Sequence, residues 1–126
     1  MITTKEDPRA YRFRVGRGTL VAEQLMEVVE NADPVPLNIS AATLEVHFRA
    51  YRAPSSACLA DVVLTKGTAA SGFVSGYIPA FTTPYTSLTM EIVLVDTSVN
   101  DAATKSTKAE YLVAEWVSPV VDASRT

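Results

Sequence analysis

From Leu44 to Tyr51 the chain alternates: Leu44, Val46, Phe48 and Ala50 fall on one side, and Thr43, Glu45, His47, Arg49 and Tyr51 on the other. A period of two marks a strand with one buried face, because successive side chains of an extended backbone point to opposite sides. The approach to this strand is punctuated. Pro34 and Pro36 stiffen it, and the short polar side chains of Asn38 and Ser40 suit a turn that fixes the register of the strand beyond it.

The same period recurs along the chain. Tyr11, Phe13 and Val15 face one way and Arg12 and Arg14 the other, ahead of a turn over Gly16, Arg17 and Gly18. Further β-type runs cover residues 58–65, 72–80 and 87–96, and in the last of these Leu88, Met90, Ile92 and Leu94 form the inward row. Residues 109–120 close the pattern, with Leu112, Ala114 and Trp116 on one face and Tyr111, Val113, Glu115 and Val117 on the other. Trp116 is expected in the core.

Residues 19–34 read two ways. Val21, Leu25, Val28 and Val29 have helical spacing among good helix formers, yet Asn31, Asp33, Pro34 and Pro36 end the segment as they would end a strand entering a hairpin. Both neighbouring segments are β, so a long strand is the reading adopted. About seven strands without strand–helix alternation predict an all-β domain of two packed antiparallel sheets, an immunoglobulin-like sandwich, over residues 10–121. Residues 1–9 lack periodicity and are expected as a flexible arm, residues 122–126 as a tail, and the polar stretch 97–108 as a loop.

Composition adds bounds. With 126 residues, 48% of them hydrophobic and 20% charged, the chain suits one domain with its own core, needing neither disulfide nor metal to fold. Its net charge of −3 gives no electrostatic reason to expect nucleic acid or an anionic membrane as partner. Arg9, Arg12, Arg14, Arg17, Arg49 and Arg52 nevertheless gather early in the chain and predict a mildly basic end or face. The N-terminus lacks the apolar centre of a signal peptide and no stretch approaches the ~20 apolar residues of a membrane span, so synthesis in a cytoplasm is expected. Cys58 stands alone and is expected as a small buried hydrophobe.

Candidate chemistry is sparse. His47 is the sole histidine and lies on the outward row, where a surface role is expected, since a metal site or catalytic base needs convergent partners. No serine sits in a G-x-S-x-G elbow, and the Gly16 to Thr19 turn lacks the further glycines and lysine of a phosphate loop. Asp96 and Asp101 lack calcium-loop spacing and suit turns. Tyr11, Tyr51, Tyr77, Tyr85 and Tyr111 would make a stacking platform for sugars if they shared a face. The pattern predicts a non-enzymatic protein without cofactor or metal.

Residues 16–49 resemble the N-terminal half of small β-sandwich domains of tailed bacteriophages, as in the N-terminal domain of siphophage upper-baseplate proteins. Gly18 and Thr19 match that family's first turn without its Asp, and residues 36–43 match its Pro-x-Asp-Leu-Thr-Gly-Ala-Thr element, with Asn38 in place of Asp and Ala41 in place of Gly. The later half is similar in outline: the glycine-led run 71–80, the loop 82–86, the strand 90–96 ending in Asp96 and the closing strand 109–121. The resemblance implies a virion component made in a host cytoplasm, either a tail or baseplate adaptor or a capsid decoration protein. Its partners would be other virion proteins, including the major capsid protein, and copies of itself in a symmetric homo-oligomer. Contacts are then expected at Arg12, Arg14, His47, Arg49, Asn100, Lys105 and Lys108. A carbohydrate-binding module for host recognition is the alternative.

Overall fold

The computed structural model describes residues 1–52, 58–98 and 109–122. They form strands β1 (Ile2–Thr4), β2 (Phe13–Arg14), β3 (Thr19–Glu27), β4 (Val35–Pro36), β5 (Leu44–Tyr51), β6 (Cys58–Lys66), β7 (Phe73–Ile78), β8 (Tyr85–Asp96) and β9 (Ala109–Val121). Two short 3₁₀ turns, at Pro8–Ala10 and Ala69–Ser71, are the only helical elements among the described residues. The all-β class expected from the periodicity is what the structure shows.

The strands join in one path, β1-β3-β7-β6-β5-β8-β9-β2, with β4 added to β3. The sheet is mixed: Phe13 and Arg14 of β2 run parallel to Val120 and Val121 of β9, whereas every other named pair is antiparallel. This departs from the wholly antiparallel two-sheet arrangement that the pattern predicts. What links the two halves is the narrow junction of β6 with β7, where only Thr65 and Lys66 meet Ser75 and Val74. There the sheet curls, and Val21 and Leu25 of β3 share one apolar cluster with Val46 and Phe48 of β5 and Met90 and Ile92 of β8. Burial of those side chains, each worth about 1.5–3 kcal/mol, drives the curl.

An aromatic chain runs through the interior. Phe48 lies 5.8 Å from Phe13 and 6.0 Å from Trp116, and Phe81 lies 6.4 Å from Phe13 in an edge-to-face arrangement. In the expected inward rows of β5 and β8, Val46, Phe48, Ala50, Leu88, Met90, Ile92 and Leu94 are buried and Leu44 is half-buried. β9 departs from strict alternation. Ile92 faces Ala114 while Val93 faces Leu112, so Val113 is an extra residue, a β-bulge. The bulge turns Val113 into the core and leaves Leu112 56% exposed, reversing the faces that unbroken alternation assigns.

The proline-punctuated segment does what its turn residues imply. The Ser40 amide and hydroxyl both donate to Asn38 Oδ1, at 3.0 and 2.6 Å. Upstream, Val35 and Pro36 lie along Glu27 and Met26, and the Leu37 amide donates to the Leu25 carbonyl at 2.9 Å. Gly72 seals this corner: its φ is +81°, and a Cβ there would stand 2.5 Å from the Leu25 carbonyl oxygen. Only glycine fits.

Two further expectations are corrected. Within the segment read as a flexible arm, Ile2–Thr4 pair antiparallel with Glu27, Met26 and Leu25, using the edge of β3 that the long strand leaves free. Cys58 is exposed rather than buried, because a register shift after Ala50 places it at the start of β6 opposite Tyr51.

Candidate functional site

The outer face of β6, β5, β8 and β9 carries the densest set of charged groups. Ladder register puts Val63, His47, Val93 and Leu112 in one row across the strands, and Asp61, Arg49, Glu91 and Glu115 in the next. Glu45, Val95 and Glu110 make the row on the other side of His47. Side chains of one row, directly opposite on adjacent strands, are in contact distance.

His47 is 8% exposed, more enclosed than the sequence predicts for a lone outward histidine. Its Nδ1 lies 2.7 Å from Asp61 Oδ1 and its Nε2 3.1 Å from Glu45 Oε1, so each ring nitrogen is within hydrogen-bond distance of a carboxylate. Arg49 is held as firmly. Its Nε donates to Asp61 Oδ2 at 3.3 Å and its Nη2 to Glu110 Oε1 at 2.7 Å, with Glu91 4.0 Å from Nη1. Reaching Glu110 carries the guanidinium past the Val93 row, and Val93, although on the outer face, is only 4% exposed. The Glu110 hydrogen bond raises the Arg49 pKa, and the same bond lowers that of Glu110 below the usual carboxylate range. Tyr51 is pushed up to about 12, first by burial and then by the Glu91 charge.

Arg49 and His47 are thus surrounded by four carboxylates, which outnumber them. Among the described residues no group of His, Cys, Asp and Glu has the arrangement to hold a metal ion. Alongside the partly exposed carboxylates, the face leaves apolar groups open: Val63 is 54% exposed and Leu112 56%, at the two ends of the His47 row, with Val117 65% exposed beyond. Sequence alternation points to His47 and Arg49. It misses Asp61, Glu91 and Glu110, whose part depends on strand order, and Leu112, whose face depends on the bulge.

The other expected contact residues lie elsewhere. Arg12 is exposed beside the 3₁₀ turn, where its Nη1 donates to the carbonyls of Arg9 and Ala10. Arg14 is half-buried on β2, and its Nε is enclosed without a hydrogen-bond partner. Asn100, Lys105 and Lys108 fall outside the described residues. Arg52, at the end of β5, stacks 5.3 Å over the Tyr85 ring.

The clefts hold no comparable chemistry. One of about 420 Å³ is lined by Lys5, Glu6, Gln24, Phe73 and Ser75 among others, and one of about 600 Å³ separates residues 3–9 from Val113–Val117. Neither lining includes a histidine or cysteine. The tyrosines are dispersed: Tyr11 is turned to β3, Tyr51 sits near Glu91, Tyr85 lies under Arg52, and Tyr77 and Tyr111 are exposed on separate strands.

Comparison with known protein families, curated proteins and solved structures returns no match to this chain.

Proposed function

We propose that the chain is a non-enzymatic building block of a tailed-bacteriophage virion, either a tail or baseplate adaptor or a capsid decoration protein, acting through subunit contacts on its outer sheet face. The observation that carries this reading is the exposure of Val63 and Leu112 beside Arg49 and His47, whose polar groups already have carboxylate partners within the chain. Covering a face costs least where its charges keep partners after water leaves, and apolar groups supply the gain. The bacteriophage assignment itself rests on the resemblance of residues 16–49 and 71–121. The curl that lays β3 and β7 over the same core as β5, β8 and β9 supports it, since a sandwich needs two strand layers around one core.

Quantitative gel densitometry of washed particles tests the reading. A decoration protein approaches the copy number of the major capsid protein, whereas a baseplate adaptor falls at least about tenfold below it, owing to the lower order of tail symmetry. Leu112→Glu is expected to remove the protein from particles while leaving its fold intact. Absence of the unmodified protein from washed particles, together with binding to host glycan, would overturn the structural role in favour of carbohydrate recognition.

A further inference from the structure

A second polar cluster lies on β3, and no part of the proposed contact face uses it. Glu23 points inward from β3 between Val21 and Leu25 and is 4% exposed. Among the described residues no Lys, Arg or His forms an ion pair with it, and its Oε2 is enclosed without a hydrogen-bond partner. Its Oε1 lies 3.0 Å from the Tyr11 hydroxyl.

Counting protons decides how this cluster works. The Tyr11 oxygen is 2.7 Å from the Ala22 carbonyl oxygen, which can only accept, and 3.0 Å from the Ala22 amide, which donates. A phenol has one proton and two lone pairs. Donating to Ala22 uses the proton, so the contact with Glu23 is completed only when the carboxyl supplies its own O–H. The phenol thereby fills a gap in the β3 ladder just past the point where β1 ends. If Glu23 ionises, the single phenolic proton must serve either the carboxylate or the Ala22 carbonyl, and one buried or edge acceptor is left bare.

We propose that Glu23 and Tyr11 form a proton-dependent latch that holds the N-terminal segment, residues 1–12, against β3 when the carboxyl is protonated and loosens it when the carboxyl ionises.

The surroundings reinforce this. Glu6 and Asp7, on the N-terminal segment, add negative charge near Glu23, while Lys5 lines the adjoining cleft and Arg9 is bound to Asp7 at 3.1 Å. β1 contributes Ile2, Thr3 and Thr4, and β7 faces Glu23 with Val74, so neither brings a charge. Burial is the main reason the carboxyl is pushed up to about 7, with Glu6 and Asp7 adding and the Tyr11 hydroxyl opposing. Burial likewise lifts the Tyr11 phenol to about 12, so it keeps its proton throughout.

The test tracks the Glu23 side-chain carboxyl carbon by NMR as pH rises from about 4 to 9, alongside hydrogen-exchange protection of the Lys5 and Ala22 amides corrected for intrinsic rate. These amides donate to Gln24 and Tyr11 respectively. Glu23 is expected to titrate near neutral pH, with protection at both amides falling at least about tenfold across the same range. In Glu23→Gln, whose amide donates at every pH, protection is expected to stay high and flat. Tyr11→Phe is expected to give low protection at every pH. Titration of Glu23 in the ordinary carboxylate range, or the same loss of protection in Glu23→Gln, would overturn the latch. The readouts are made on the free protein, so they stand whether or not the virion assignment does.

Discussion

The outer face around Arg49 and the interior around Glu23 both hold carboxyl groups, which behave oppositely. On the outer face Arg49 serves Asp61 and Glu110 and approaches Glu91, while His47 lies between Glu45 and Asp61. In the interior the Glu23 carboxyl meets the Tyr11 phenol, and among the described residues it forms no ion pair. Burial alone favours the neutral acid, whereas an adjacent guanidinium favours the ion. Glu110 is therefore lowered and Glu23 raised. A carboxyl's state in this fold is set by burial where no cation pairs with it and by the cation where one does.

The strongest way to break the contrast is Arg49→Leu. It leaves Asp61, Glu91 and Glu110 facing one another on a partly covered surface, and a loss of about 2–4 kcal/mol at neutral pH is expected in chemical denaturation. The folded-state pKa of Glu110 lies below its unfolded value, so the stabilisation that Arg49 gives it is present above the ordinary carboxylate range and is lost as pH falls through the folded pKa. The penalty of Arg49→Leu should accordingly shrink in acid. An unchanged penalty at low pH would show that Arg49 acts by packing over Val93 rather than by charge.

Glu23→Gln sharpens the comparison from the other side. Here the folded pKa of about 7 lies above the ordinary value of 4.5, so the contribution of Glu23 is complete below 4.5 and is lost as pH rises through 7. Replacing it with an uncharged donor should raise stability by about 2–3 kcal/mol at pH 8 and change little at pH 4. Denaturant midpoints of the two proteins at both pH values check this. Equal differences at the two pH values would remove the contrast between interior and face.

The smallest effect on stability is expected from Val63→Ser combined with Leu112→Ser. Both side chains are more than half exposed, so folding should change by less than about 0.5 kcal/mol. Assembly is where the pair should matter: sedimentation of the wild-type and double-variant proteins at high concentration is expected to show weaker association for the variant. No difference would separate this face from the contact role proposed for it.

Much of the fold is legible in the pattern of residues. Period-two runs place β5 and β8 and their inward rows, because a half-buried strand leaves an apolar mark on every second position. Asn38 and Ser40 mark their turn by local chemistry that needs no partner strand. The segment over 19–27 is harder, since Val21 and Leu25 fit helical as well as strand spacing. Its neighbours and terminating residues decide it. Glu23 leaves no such mark, because its enclosure depends on Tyr11 and the N-terminal segment folding over it, contacts between distant parts of the chain.

The sequence by itself determined the class of the fold, the positions of most strands and the core side of each regular run, because these depend on local alternation and turn chemistry. Tertiary structure alone decided the order of strands, the parallel seating of β2 on β9, the attachment of Ile2–Thr4 to β3 and the bulge that sends Leu112 outward. Alternation records that a side is buried and carries no record of against what. For that reason the partners of Arg49, Asp61 and Glu110, on β5, β6 and β9, became visible only when the ladders fixed which rows lie side by side.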